Sequence, residues 1–109
     1  MTDKILVLTT CSSEEEAGRI AKSLVESRLA ACVAITPGVH SVYRWEGAIE
    51  QSEEWSLAIK SRRDLFEPLT AALRRLHSYA TPEILALPIW DGGPEYLKWM
   101  DAELRPADA

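Results

Sequence analysis

Three side chains in two short stretches could ligate a metal ion. Cys32 stands in "LAACVAI" (29–35), while His77 and Glu83 stand in "HSYATPEILALPIW" (77–90). A thiolate with an imidazole suits copper or zinc better than magnesium or calcium, because soft and borderline donors match those ions. One thiol and one imidazole do not fill a tetrahedral shell, so Glu83 or residues of a neighbouring subunit must complete it. Such a site weakens as pH falls, since the thiol must lose its proton and the imidazole must stay neutral. Lys60 and Tyr79 are further candidates for the same cleft. Each residue also has a plainer role. Cys32 can be a small buried hydrophobe. His77 follows a helical pattern and can meet last-turn carbonyls. Glu83 can end a strand in solvent or cap an amide, Lys60 can pair with it or attract an anion, and Tyr79 can pack with its hydroxyl satisfied. In either case "HSYATPEI" is a structural connection, and it is the best candidate edge of a cleft.

The elements that must position these groups are readable from patterning. "KILVLTT" (4–10) is apolar and β-branched and reads as a buried strand. Ser13 with Glu16 forms a capping box, with Ser12 and Glu15 as the alternative register. Consecutive glutamates then sit in the first helical turn, where the macrodipole favours them. Ala17, Ile20, Ala21, Leu24 and Val25 fall on one helical face, and Arg28 closes the last turn. Residues 29–35 read as a second strand, interrupted at Pro37-Gly38 by a bulge or bend. "VHSVYRW" resumes it, Glu46-Gly47 turns, and residues 48–60 return with Trp55, Leu57 and Ile59 alternating.

Asp64 or a neighbour should cap a second helix that holds Pro68 in its first turn and buries Phe66, Leu69, Ala72, Leu73 and Leu76. Pro82 ends any helical continuation at Thr81. "EILALPI" reads as a fourth strand, placed near an edge by Pro88. Pro94 opens a third helix with Leu97, Met100 and Leu104 on one face, and the tail "RPADA" should fray. The order β-α-β-β-α-β plus a terminal helix predicts an α+β, ferredoxin-like sandwich in one domain, residues 1–109. Both main helices fall on one sheet face. The long central hairpin carries Tyr43, Trp45 and Trp55, too much apolar surface for solvent. An oligomer that buries these aromatics is the expectation.

Composition removes several function classes. Formal net charge is −5, with no run of lysine or arginine, which disfavours nucleic acid and anionic membranes as partners. No apolar stretch is long enough to span a bilayer. "MTDKILVLTT" does not read as a signal peptide, so a reducing cytoplasm with Cys11 and Cys32 as thiols is the expectation. The motifs GxSxG, HExxH, Walker A and GxGxxG do not occur, and the acidic loop "TTCSSEEE" would repel a phosphate. No enzyme activity and no organic cofactor are expected.

The composite of "LAAC", "PG", "Y-x-WEG-x-IE", "H-x-Y-x-TPEI" and "YL-x-W" resembles the CutA family of divalent-cation tolerance proteins over roughly residues 4–105. The resemblance implies a ferredoxin-like protomer in a tight homotrimer, its hairpin arms extending sheets between subunits as in PII signalling proteins. It implies a link to copper and other divalent-metal tolerance, without catalysis. Some members carry a first-strand cysteine that has been discussed as a metal ligand. Thr9 stands at that place here, with Cys11 two residues on, while Cys32 matches the "LAAC" cysteine. A trimeric PII-like sensor of small molecules, or a scaffold with indirect metal effects, is the rival expectation.

Overall fold

The computed structural model describes residues 1–107. Strand β1 (Lys4–Cys11) is central because both its edges are taken. Strand β3 (Ala48–Arg62) pairs antiparallel on one side and β4 (Leu85–Pro88) antiparallel on the other. Strand β2 (Cys32–Trp45) pairs antiparallel with β3, giving the order β2-β3-β1-β4. Helices α1 (Glu14–Glu26) and α2 (Phe66–Leu76) fill the crossovers, and α3 (Pro94–Glu103) follows the last strand. This is the α+β, ferredoxin-like order expected from the sequence. Strand alternation sends Ile5, Val7, Cys11, Leu57 and Ile59 into a core with Ile20 and Leu24 of α1 and Leu69 and Leu73 of α2.

Local chemistry explains each boundary. Ser13 caps α1, its hydroxyl accepting the Glu16 N–H at 3.1 Å. Pro68 lies in the first turn of α2, where its missing N–H has no intrahelical acceptor to lose. Glu46 and Gly47 both have positive φ (49° and 81°), the geometry of a tight hairpin turn. The register of β2 on β3 shifts between Thr36 and Val39, so Pro37 and Gly38 form a bulge that re-aims the outer arm without ending the strand.

Several expectations are corrected. Residues 29–31 are not strand: the amides of Leu29 and Ala30 turn back onto the Leu24 carbonyl at 3.0 and 3.1 Å. They form a buried loop, and β2 starts at Cys32. Arg28 lies beyond α1 with φ 61° and donates to the Ala102 carbonyl at 2.8 Å. Val25 is exposed. Asp64 does not cap α2; it accepts from Arg62 Nε at 2.7 Å, and a 3-10 turn (Arg63–Leu65) leads into the helix with no side-chain cap. The tail is held at Arg105, whose N–H donates to the Arg28 carbonyl and whose carbonyl accepts from Arg62. The last two residues of the expected frayed tail lie outside the described residues.

The sheet face away from the helices stays uncovered. Leu6 lies opposite Leu87 and Leu8 opposite Leu85, so all four share that face. Leu85 and Leu87 are exposed, as are Val42, Tyr43, Trp45 and Ile49 on the outer hairpin.

The Ser13 cap sets the first test. Ser13→Ala should lower the urea midpoint by an amount worth about 1 kcal/mol with the fold intact. Ser12→Ala, which loses only a 3.3 Å hydroxyl bond to Glu16 and keeps the backbone N–H bond to the same oxygen, should cost less. Circular dichroism during urea unfolding reads both, and equal effects would contradict the cap assignment.

Candidate functional site

A cleft of about 540 Å³ runs along the hairpin arm, from Glu54 near its base to Trp45 beside the turn at its tip. Its walls include Tyr43 and Trp45 of β2, Glu54 of β3, Thr10 of β1, and Tyr79 and Glu83 of the connection from α2 to β4. Register explains the grouping. Tyr43 lies opposite Glu50 and Val39 opposite Glu54, so alternation puts Tyr43 and Glu54 on one face of the hairpin. Tyr79 reaches that face from the connection and donates its hydroxyl to Glu54 Oε2 at 2.8 Å. Glu54 is thereby buried, 6 % exposed.

A second buried carboxylate holds the connection in place. Glu16, also 6 % exposed, accepts the Ser12 N–H at 3.3 Å and the Ser78 N–H at 2.7 Å. Burial alone would raise its pKa, but the hydrogen bonds of Ser78 and Ser12 and the neighbouring His77 outweigh this and hold it below the usual carboxylate range. His77 caps α2 and is buried beside it. The Thr10 carbonyl can only accept, so His77 Nε2 carries the proton and donates to it at 2.8 Å. Nδ1 then accepts the Tyr79 N–H at 3.1 Å. The two rings pack with centroids 4.8 Å apart.

The proposed ligand set does not assemble in one protomer. Among the described residues no group of three or more His, Cys, Asp or Glu side chains could hold a metal. His77 spends both ring nitrogens on backbone groups, which leaves no lone pair for an ion. Cys32 is a half-buried free thiol at the start of the outer strand β2, paired opposite Lys60. Glu83 is exposed on the cleft wall. Lys60 does not line the cleft; its Nζ sits 5.6 Å from the Tyr96 ring centroid. Tyr79, expected to pack, does so and also bonds Glu54. Tyr43 and Trp45 are exposed on the arm, but Trp55 is half-buried against the protomer's own core, because alternation aims it with Leu57 toward the helices. Glu54 was not singled out by sequence reasoning. Its one signal is its phase, on the opposite face from Trp55 in "EEWSLAI".

The electrostatics keep the neighbouring acids protonated. Burial, with the charges of Glu16 and Glu54, pushes the Cys11 thiol up to about 11. Burial and the bond to Glu54 push the Tyr79 hydroxyl well above its usual value. Neither is a nucleophile or a base at neutral pH.

Fold and cleft together define a ferredoxin-like protomer with an outsized hairpin and an acidic, aromatic cleft along it. The sequence matches the CutA1 divalent ion tolerance protein family over residues 5–103. It is 50 % identical over 95 residues to the divalent-cation tolerance protein CutA of Thermus thermophilus, covering 87 % of this chain and 92 % of that one. It is 43 % identical over 105 residues to CutA of Pectobacterium atrosepticum, covering 96 % of each. The crystal structure of CutA from Xylella fastidiosa superposes with a TM-score of 0.93 at 39 % identity, covering 95 % of this chain and all 100 % of that one. The chain belongs to the CutA1 divalent ion tolerance family.

Glu16 sets a pH test. A depressed carboxylate stabilises the fold above its unfolded pKa, about 4.3, and that contribution is lost as pH falls through the lower folded value. Glu16→Gln should therefore cost about 1.5–3 kcal/mol at neutral pH. The gap should close below the carboxylate range. Urea unfolding from neutral to acid pH measures it, and a pH-independent gap would refute the assignment.

Proposed function

We propose that this chain acts in divalent-cation tolerance as a cytoplasmic homotrimer that binds the ion, copper or zinc, and catalyses no reaction. The observation that carries the reading is the uncovered apolar surface. Leu85 and Leu87 on the open sheet face, and Val42, Trp45 and Ile49 on the arm, are each between 43 % and 62 % exposed. Large apolar side chains exposed on both faces of the arm and on the open sheet face call for a partner. The two free sheet edges, β2 and β4, support further strands added from neighbouring subunits in the manner of PII proteins. Family membership supports the role in cation tolerance. The protonated states of Cys11 and Tyr79 and the engaged ring of His77 support a binding role over catalysis. The free thiols suit a reducing compartment.

A copper or zinc site belongs between subunits in this reading. Cys32 is the soft donor, half-exposed on the outer strand where a second chain can approach. The second reading, a PII-like trimer that senses a small molecule or serves as a scaffold, draws its support from the cleft, which falls in the size range of small-molecule sites.

Assembly and ion binding are tested together. Sedimentation at low micromolar concentration should give a trimer, and the thermal midpoint should rise with protein concentration. Trp45→Ala should lower that midpoint by more than Trp99→Ala, since burying one such ring is worth roughly 2–3 kcal/mol. A natively stable monomer would sink the trimer. In chelator-treated buffer, Cys32→Ser should weaken copper and zinc binding with the trimer retained. His77→Ala should lower stability and leave ion affinity unchanged. Unaltered affinity in Cys32→Ser would exclude the thiol as a ligand.

A further inference from the structure

We propose that His77 is a proton-operated latch on the connection from α2 to β4. When its ring takes up a second proton, Nδ1 leaves the Tyr79 amide, turns to the Glu16 carboxylate, and releases the connection. Every group involved belongs to one protomer, and the ring and the Glu16 carboxylate are buried inside it, so the device operates whether or not a second chain covers the arm.

The connection depends on two side chains. Residues 78–83 lie between α2 and β4 and make no backbone–backbone hydrogen bond among the described residues. Glu16 Oε2 holds the Ser78 N–H at 2.7 Å, and His77 Nδ1 holds the Tyr79 N–H at 3.1 Å. The Tyr79 hydroxyl then reaches Glu54 on β3. A segment anchored in this way changes when either anchor changes.

The surroundings of the ring provide for both of its states. A neutral imidazole has one donor and one acceptor nitrogen. Those match the Thr10 carbonyl and the Tyr79 N–H. A charged imidazole has two donors and no acceptor. Its Nδ1–H would face the Tyr79 N–H, donor against donor, and a buried donor must find an acceptor. Glu16 Oε2 lies 3.8 Å from Nδ1. A carboxylate oxygen accepts two bonds, so it can keep Ser78 and receive His77. A movement of about 1 Å closes that gap to a charge-assisted hydrogen bond. The Thr10 bond persists in both states. The Tyr79 ring, 4.8 Å from the imidazole, tolerates the charged form, because ring faces attract cations. What is lost is the Tyr79 amide bond.

The other charges around the ring leave Glu16 as its partner. From α1, Arg19 lies 4.0 Å from Glu16 Oε2 and donates to the Leu76 carbonyl, with its side chain half in solvent. From β1 comes the buried, protonated Cys11 thiol. Glu54 of β3 is reached only through Tyr79. Arg74 and Arg75 in the last turn of α2 are exposed. Among the described residues Glu16 is the one carboxylate within ion-pair distance of His77.

Nuclear magnetic resonance on the assembled full chain tests the latch as pH falls from 8 within the folded range. The His77 ring nitrogen Nδ1 should pass from its unprotonated to its protonated shift. The Tyr79 amide should move with the same midpoint, and its protection factor, which corrects for the intrinsic pH dependence of exchange, should fall roughly tenfold, as for the loss of one hydrogen bond. Ser78 should stay protected. His40, on the arm and bonded to Gln51, is the control: His40→Gln should leave the Tyr79 transition unchanged. Glu16→Gln removes the charge that receives Nδ1–H and should move the transition down by about one pH unit or more. A His77 ring that stays neutral until the protein unfolds would overturn the proposal. So would a Tyr79 amide that stays put while the ring titrates. An unmoved midpoint in Glu16→Gln would overturn the role of Glu16. The wild-type titration decides the matter even where a variant fails to fold.

Discussion

The buried Glu16 carboxylate is the constraint on which the rest of the site depends. It stands in the first turn of α1, yet its second oxygen reaches across to the Ser78 N–H, 62 residues further along the chain. A charge that is 6 % exposed must find donors or the fold fails there. Meeting that demand pins the start of the α2–β4 connection to the end of β1. His77 is then placed to donate to Thr10, and Tyr79, two residues on, to cover Glu54. A helix cap and a cleft wall are thus parts of one hydrogen-bonded system. Weakening the first loosens the second, even though no residue of α1 lines the cleft.

The hairpin serves two ends that pull on the same residues. Its length carries the molecule to an extent of 44 Å in one direction against 25 and 22 Å in the others. An arm of that reach with exposed Val42, Tyr43, Trp45 and Ile49 gains stability only when something lies against it. The bulge at Pro37 and Gly38 re-aims the arm just where it leaves the helices. As a result the arm's inner aromatics close the cleft of its own protomer, and the remainder face outward. Trp55 shows where the division falls: it stands on β3 opposite the bulge, and it belongs to the core.

Elements were legible in the sequence wherever periodicity and punctuation agreed. The alternation of Trp55, Leu57 and Ile59, the Glu46-Gly47 turn and the Ser13–Glu16 cap each specify a local geometry that tertiary contacts reinforce. Residues 29–31 were not legible, because an apolar run reads the same in a buried loop as in a buried strand, and only the Leu24 carbonyl decides. The cleft's edge at the connection was legible in the sequence; the partners of its side chains were not. His77, Tyr79 and Glu83 do cluster at the connection. What the ring of His77 does is set by the Thr10 carbonyl, 67 residues away in sequence, and what buries Glu54 is a tyrosine 25 residues away. Residue type suggests a ligand; long-range partners determine whether its lone pairs are free.

The same charges that organise the site also sort its reactive groups. Glu16 and Glu54 flank Cys11, and with burial they hold its thiol protonated, up to about 11. A thiol so placed is neither a good nucleophile nor a ready metal ligand. Cys32, half-exposed on the opposite side of β3 from β1, lies away from those carboxylates and keeps its access. The chain therefore keeps its two thiols in different surroundings. Carboxylate and aromatic surface gather along the hairpin arm, where anions are repelled. The accessible sulfur stands on the outer strand β2, opposite Lys60 and apart from those carboxylates.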